Sequence, residues 1–161
     1  MTDTPIRSFT GEFAFLSNFF PSDVWPSWWP RTLPPFPTVE HAFAACKTDT
    51  ELSFPERLTA IEGIRSAGTP GQAKRLGRKV GLRGDWGRIR ADVMLLLLRL
   101  KFSDFEFDSL LKSTNSRPLV EGNNWHDQFW GDCGCPTHAA TPGENTLGKL
   151  LMQVREERRT L

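Results

Sequence analysis

Residues 38–47 read TVEHAFAACK. Thr38 is an N-cap residue by type, and the alanines that follow favour a helix from Val39 to about Lys47. An α-helix turns 100° per residue, so Glu40 and Lys47 return to within ~20° of one direction and stand roughly 10 Å apart along the axis. Ala44 falls between them and leaves a notch about one turn deep. The spacing is too long for a direct helical ion pair, which needs three or four residues, and it suits a ligand lying between the two groups. Val39, Phe43 and Cys46 occupy the opposite side and can anchor the helix. His41 points about 100° away from Glu40, as a neighbour or orienting group. Geometry alone favours a solvated acid and amine, because long charged side chains are usually exposed.

Outward from this helix the elements follow from caps and breakers. Upstream, residues 21–37 carry Pro21, Pro26, Pro30, Pro34, Pro35 and Pro37 with Trp25, Trp28 and Trp29 between them. No regular helix survives that proline density. A hairpin-like loop with an edge strand near Val24 is expected, and its tryptophans could either pack or form a lid. Residues 6–20 suggest one or two short strands and a turn. Downstream, helices are expected over Pro55–Arg65, from Pro70 behind a Thr69 cap, from Asp85 to about Lys101, from Asp104 to Leu111, and over about Glu144–Arg158. The stretch ADVMLLLLRL, 91–100, is apolar on most sides of its helix and reads as the centre of the core, with Ile89, Val93, Leu96, Leu97 and Leu100 as the main stripe. PLVEG, 118–122, can form a short strand. The sum is an α+β, predominantly helical single domain over residues 1–161, with a few short strands.

The totals set limits. At 161 residues the chain can bury a real core, and 39% hydrophobic with 24% charged residues is a globular composition. A net charge of +1 argues against long contacts with duplex DNA but leaves single strands and free nucleotides open. The apolar run at 91–100 is too short to span a bilayer, and the N-terminus has no apolar signal core. A cytoplasmic protein without membrane contact is the expectation. Tyrosine is absent, so no phenol serves as a general acid.

Seven segments carry a family resemblance: FLSNFFPS (15–22), TVEHAFAACK (38–47), AKRLGRKV (73–80), DWGRIRADVM (85–94), LKF (100–102), RPLVEGNNWHDQFWG (117–131) and GENTLGKLLMQVRE (143–156). In this order they resemble the NADAR superfamily, whose YbiA-like members are N-glycosidases. The resemblance spans nearly the whole chain and implies a YbiA-like fold. Family members cleave N-glycosidic bonds, some in ribosylamino intermediates of riboflavin synthesis and others between ADP-ribose and guanine. The family's Glu and Lys fall on Glu40 and Lys47, which reverses the solvated reading of that pair. The implied activity is a hydrolase cutting the bond between ribose phosphate or ADP-ribose and an exocyclic amine, without cofactor or metal. The implied partner is a small glycosylamine or an ADP-ribosylated nucleotide, with ADP-ribosylated DNA or RNA as an extension.

That chemistry assigns roles. Glu40 would stabilise positive charge at the sugar or activate water, and its place in the first helical turn favours the ionised form. Lys47, if burial lowers its pKa, could displace the amine and form a Schiff base with the sugar. In direct water attack it would instead hold a phosphate or hydroxyl. Among the cations of residues 74–90, Arg75 and Arg78 are favoured for phosphate. Trp86 and Trp130 are candidate platforms for a flat base, against plain core packing. Asn18, Phe19, Asp127, Gly131, Asp132, Asn145 and Gly148 complete the expected substrate-binding set, with turn formation as the alternative for both aspartates. A Gly148 one turn into the last helix admits a ligand or another backbone. Two rival functions stay open: a non-catalytic ADP-ribose or nucleotide-binding module, and a small zinc-binding interaction domain. The latter rests on His126, Cys133, Cys135 and His138, spaced H-x6-C-x-C-x2-H. The C-x-C spacing is tighter than in common zinc fingers, so reduced thiols are the favoured reading there.

Overall fold

Several helices start where a short polar side chain accepts an N–H of the first turn. The computed structural model describes residues 4–160. It divides into two compact units, Asn18–Lys101 and Met1–Ser17 with Phe102–Leu161.

The first unit holds α1 (Val39–Ala45), α2 (Phe54–Arg65), α3 (Pro70–Gly77) and α4 (Trp86–Lys101). Thr38 caps α1 by accepting the His41 N–H at 3.2 Å, and Thr69 caps α3 by accepting the Gln72 N–H at 3.2 Å, with Pro70 next. Helix α4 begins directly after Asp85, as expected, and the Asp85 carboxylate takes Arg83 at 2.6 and 3.1 Å.

Packing differs from expectation in two places. The residues of α1 are buried on every side, from Val39 through Ala45, because α2, α3 and α4 all pack on it. It is the central helix of the unit, a position the sequence suggests for α4. Helix α4 buries Trp86, Met94, Leu97, Leu98 and Lys101, while Leu96 is 57% exposed and Leu100 36%. An unbroken leucine run is apolar around its circumference, so its composition cannot say which sector faces inward. Helix α1 also stops at Ala45 rather than Lys47. The Lys47 N–H turns back to the Ala44 carbonyl at 3.3 Å, and Thr48 bridges antiparallel to Leu82.

The notch expected at Ala44 is filled by protein. A Cβ at Gly77 of α3 would lie 2.8 Å from the Ala44 Cβ and 3.2 Å from its backbone, so the two helices meet at van der Waals contact. Gly77→Ala is therefore expected to destabilise the fold. Overpacking costs about 1–3 kcal/mol, against at most about 1 kcal/mol regained from helix propensity. A lowered urea midpoint at constant slope is the expected readout; an unchanged midpoint would mean that α3 can slide off α1 freely.

The proline-rich segment is a hairpin, as expected, pinned by one antiparallel bridge in which Val24 and Phe36 exchange hydrogen bonds of 2.9 Å. Of its tryptophans only Trp29 is buried, while Trp25 is half-buried and Trp28 exposed. Trp29 is buried against Phe36, at 5.1 Å between centroids, and its Nε1–H reaches the Pro34 carbonyl at 2.8 Å.

In the second unit, Ile6 bridges in parallel to Leu119. A 3-10 helix, Gly11–Leu16, then stands where strands were expected. Gly11, at φ +55°, turns the chain, so only Ile6 meets a strand partner. Helix α5 (Phe105–Ser113) is capped by Asp104, whose Oδ1 accepts the Glu106 and Phe107 N–H groups. A parallel pair follows, β1 (Gly122–Asn123) and β2 (Asp132–Cys133), with Gly122 opposite Asp132. Helix α6 (Thr146–Arg159) buries Leu147, Leu151 and Val154. The α+β, mainly helical class is as expected. Among the described residues no helix is long and apolar enough to cross a membrane.

Candidate active site

Helix α1 carries Glu40 in its first turn, with the Glu40 N–H bonded to the Asn18 carbonyl at 3.0 Å. Glu40 is only 6% exposed. Burial raises its pKa, and the opposing pull of Lys74, Lys47 and Arg78 does not cancel that rise. Burial thus works against the ionised form that the helical position favours.

Lys47 sits on the tight turn after α1, half-buried, with its Nζ 5.3 Å from the centre of the Phe43 ring and 5.9 Å from that of Trp86. The two rings are 4.9 Å apart. Burial lowers the Lys47 pKa; Glu40 draws it up, and the Lys74 and Arg78 charges lower it further. Acid and amine are each pushed toward the neutral form, and each is among the charges that act on the other. Both shifts narrow the gap between the two pKa values.

The cations come from α3. Lys74 and Arg78 stand four residues apart along the edge of the face that Ala73 and Gly77 bury, and both act on Glu40 and Lys47. Arg75 lines a separate cavity of about 310 Å³ with Ala67, Gln72, Leu76 and Lys79. Sequence reasoning passed over Lys74 in favour of Arg75. The small pair Ala73 and Gly77, spaced to share a helix face, was the available signal for which cations lie beside α1. The Lys74 Nζ lies 5.8 Å from the centre of the Phe19 ring, which is 43% exposed. Lys74→Met should move the Glu40 titration, followed by 13C-carboxyl NMR, to higher pH, because the strongest opposing charge is gone. An unmoved titration would mean that the Lys74 ammonium does not face the carboxyl.

A family model described as the NADAR domain matches residues 8–159. The chain belongs to the NADAR family. It is similar to N-glycosidase YbiA of Escherichia coli (strain K12), 35% identical over 164 residues that cover 98% of this chain and 90% of that protein. It is also similar to the chloroplastic riboflavin biosynthesis protein PYRR of Zea mays, 36% identical over 129 residues, 76% of this chain. The chain spans only 20% of the maize protein and 17% of the Arabidopsis thaliana protein of the same name. The NMR structure of E. coli YbiA superposes with a TM-score of 0.73 at 33% identity, covering 99% of this chain and 88% of that one.

Within the NADAR chain the remaining expected site residues have clear structural partners. The Asn18 Nδ2–H reaches the Met94 sulfur at 3.4 Å, and its Oδ1 is buried without a hydrogen bond. Trp86 is 8% exposed and packs on Phe43. His41 is clamped: its Nδ1 lies 2.8 Å from the Thr38 hydroxyl and its Nε2 3.1 Å from the Ala67 carbonyl. A carbonyl needs a donor, so the Nε2–H tautomer holds, and burial lowers the pKa in agreement. Trp28 is no lid. It lines an apolar cavity of about 400 Å³ with Cys46, Leu96 and Leu97.

Asp127, Trp130, Gly131, Asp132, Asn145 and Gly148 of this NADAR chain belong to the second unit. Asp127 Oδ1 accepts the Phe129 and Trp130 N–H groups at 3.1 and 2.8 Å, as a turn residue does. Trp130 stacks edge-on to Phe129 at 4.8 Å. Asp132 accepts the Gly143 N–H at 2.8 Å and pairs with Arg7 at 3.2 Å. Asn145, at φ 50°, reaches two backbone groups: its Nδ2–H donates to Leu119 O at 2.9 Å and its Oδ1 accepts from Glu121 N at 3.0 Å. A Cβ at Gly148 would strike that same Leu119 carbonyl, and one at Gly131 the Glu121 carbonyl. Both glycines therefore admit backbone.

Proposed function

We propose that this NADAR chain is an N-glycosidase that hydrolyses the bond between C1′ of a ribose phosphate or ADP-ribose and an exocyclic amine. The observation that carries the reading is the pairing of a buried carboxyl, Glu40, with a half-buried amine, Lys47, each shifted toward neutrality. A relative named N-glycosidase and others named for riboflavin biosynthesis support the reaction class and suggest a ribosylamino intermediate as one substrate. ADP-ribosylated guanine, free or in DNA or RNA, has the same bond and is the other. Residues 1–161 act as one cytoplasmic NADAR domain, without cofactor.

The chemistry follows from the charge states. An exocyclic glycosylamine opens to an imine at C1′. The neutral Lys47 Nζ adds to that carbon, the bond to the departing amine breaks, and a proton moves from Nζ to the leaving nitrogen by way of Glu40. Water then adds to the lysine imine, and the free sugar and the amine of Lys47 are restored. Lys74 and Arg78 hold phosphate charge, and the exposed Phe19 ring offers a stacking face for the base. A module that only binds would gain nothing from a carboxyl and an amine each shifted toward the neutral form.

The test is incubation with ADP-ribosylated guanosine and, separately, with a ribosylamino-pyrimidine phosphate, following the released amine by chromatography. Release from either supports the reading and names the substrate class. Both left intact, with nucleotide binding retained, would replace it by the binding module.

A further inference from the structure

Four side chains of the second unit take no part in the glycosidase chemistry and converge on one point: His126, Cys133, Cys135 and His138. Their ligand atoms all lie within 4.8 Å of one another. The His126 and His138 Nδ1 atoms are 3.4 Å apart, and they lie 3.3 and 3.2 Å from the Cys135 sulfur. A tetrahedral zinc with bonds of ~2.3 Å to sulfur and ~2.0–2.1 Å to nitrogen sets its ligands roughly 3.3–3.8 Å apart.

The backbone explains how so irregular a spacing can meet. Strand β2 ends at Cys133, and the Gly134 N–H prolongs its ladder by bonding to Asn123 O at 2.8 Å. Extended chain repeats every two residues, so C-x-C turns both sulfurs to one side. The chain then folds over Pro136, with the His138 N–H on the Cys135 carbonyl at 3.0 Å, and brings His138 back over the sulfur. From the other direction His126 is held at φ 69°. A side-chain-bearing residue in that region costs on the order of 1–3 kcal/mol, and such strain persists where other contacts over-determine it. The two cysteines are buried, with Cys133 2% and Cys135 8% exposed. Two buried thiols and two imidazoles, without a carboxylate among them, are a poor hydrogen-bonding group and a good borderline-soft donor set.

We propose that His126, Cys133, Cys135 and His138 bind one zinc ion as a closed, structural Cys2His2 site that staples the β1–β2 loop to the segment after β2. Four protein ligands leave no position for substrate or water, so the ion serves the fold and not the reaction. Two thiolates balance the charge of the ion, and binding releases their protons. The C-x-C spacing, too tight for a finger knuckle, fits here because an extended strand end presents the sulfurs in place of a turn.

The experiment uses the full chain expressed in zinc-supplemented medium. Elemental analysis is expected to find about one zinc per chain. After removal by a tight chelator, titration with Co2+ should give the intense visible bands of a tetrahedral site and a thiolate charge-transfer band. Thermal unfolding should occur at a lower temperature without metal and recover when zinc is returned. Cys135→Ser should lose stoichiometric zinc. The exposed ligand His126 is the variant that keeps the fold: His126→Ala should weaken Co2+ binding at least tenfold and alter the tetrahedral bands. Zinc content unchanged in Cys135→Ser, a weak octahedral Co2+ spectrum in the wild type, or a Cys133–Cys135 disulfide in freshly purified protein would each overturn the proposal.

Discussion

Replacing Lys47 by Ala or by Arg is expected to abolish amine release. Alanine removes the nucleophile. Arginine keeps a cation at the same place, but its guanidinium stays protonated and cannot form an imine. In the rival course, where water attacks directly and Lys47 only holds a phosphate or hydroxyl, arginine should retain a measurable rate. A complete loss in both goes beyond the ~10²–10⁴-fold that a proton-transfer group supplies. The pH profile carries the same information with a definite sign. The Lys47 pKa is lowered, chiefly by burial. If the neutral amine reacts, the rate rises as pH climbs through that lowered value. If the ammonium is the working form, the rate falls over the same interval. Borohydride with substrate should leave a sugar mass on Lys47 in the wild type. Turnover retained in Lys47→Ala would remove the amine from the mechanism.

Glu40→Gln is the second large effect, a fall of about 10²–10⁴-fold in kcat, since the side chain keeps its shape and loses its proton chemistry. It has an electrostatic consequence as well. Burial raises the Glu40 pKa, and Glu40 in turn is the charge that draws the Lys47 pKa up. Without it the residual activity should show its rising limb at lower pH than the wild type. Circular dichroism of the variant guards against a trivial loss through unfolding. Wild-type rates in Glu40→Gln would assign the proton transfers to another group.

The helix starts were legible because caps are local: Thr38, Thr69 and Asp104 each bond an N–H two or three residues ahead. The same locality explains the failures. The pairing of Asp85 with Arg83 lies in a turn that no periodicity reports. Of the apolar stripe expected on α4, Leu97 is buried but Leu96 and Leu100 are exposed, and Met94 and Leu98 are buried beside it, since a leucine run has no polar face to orient it. Glu40 and Lys47 could be singled out through family resemblance, whereas the shift in Glu40 depends on tertiary burial and could not. Lys74 was passed over for a related reason: the small pair Ala73 and Gly77 can be read in the sequence, but that Gly77 meets Ala44 is a tertiary fact. His126, Cys133, Cys135 and His138 were visible as residue types, but their convergence was not, since spacing does not encode the left-handed backbone at His126.

The contact between Gly77 and Ala44 acts as a ruler. It sets how near the ammonium of Lys74 and the guanidinium of Arg78 stand to the acid and the amine, and so how readily each of the two gives up or keeps its hydrogen ion. An uncharged methyl group inserted at that seam would retune the acid–base behaviour of the helix opposite it, without touching a single ionisable atom.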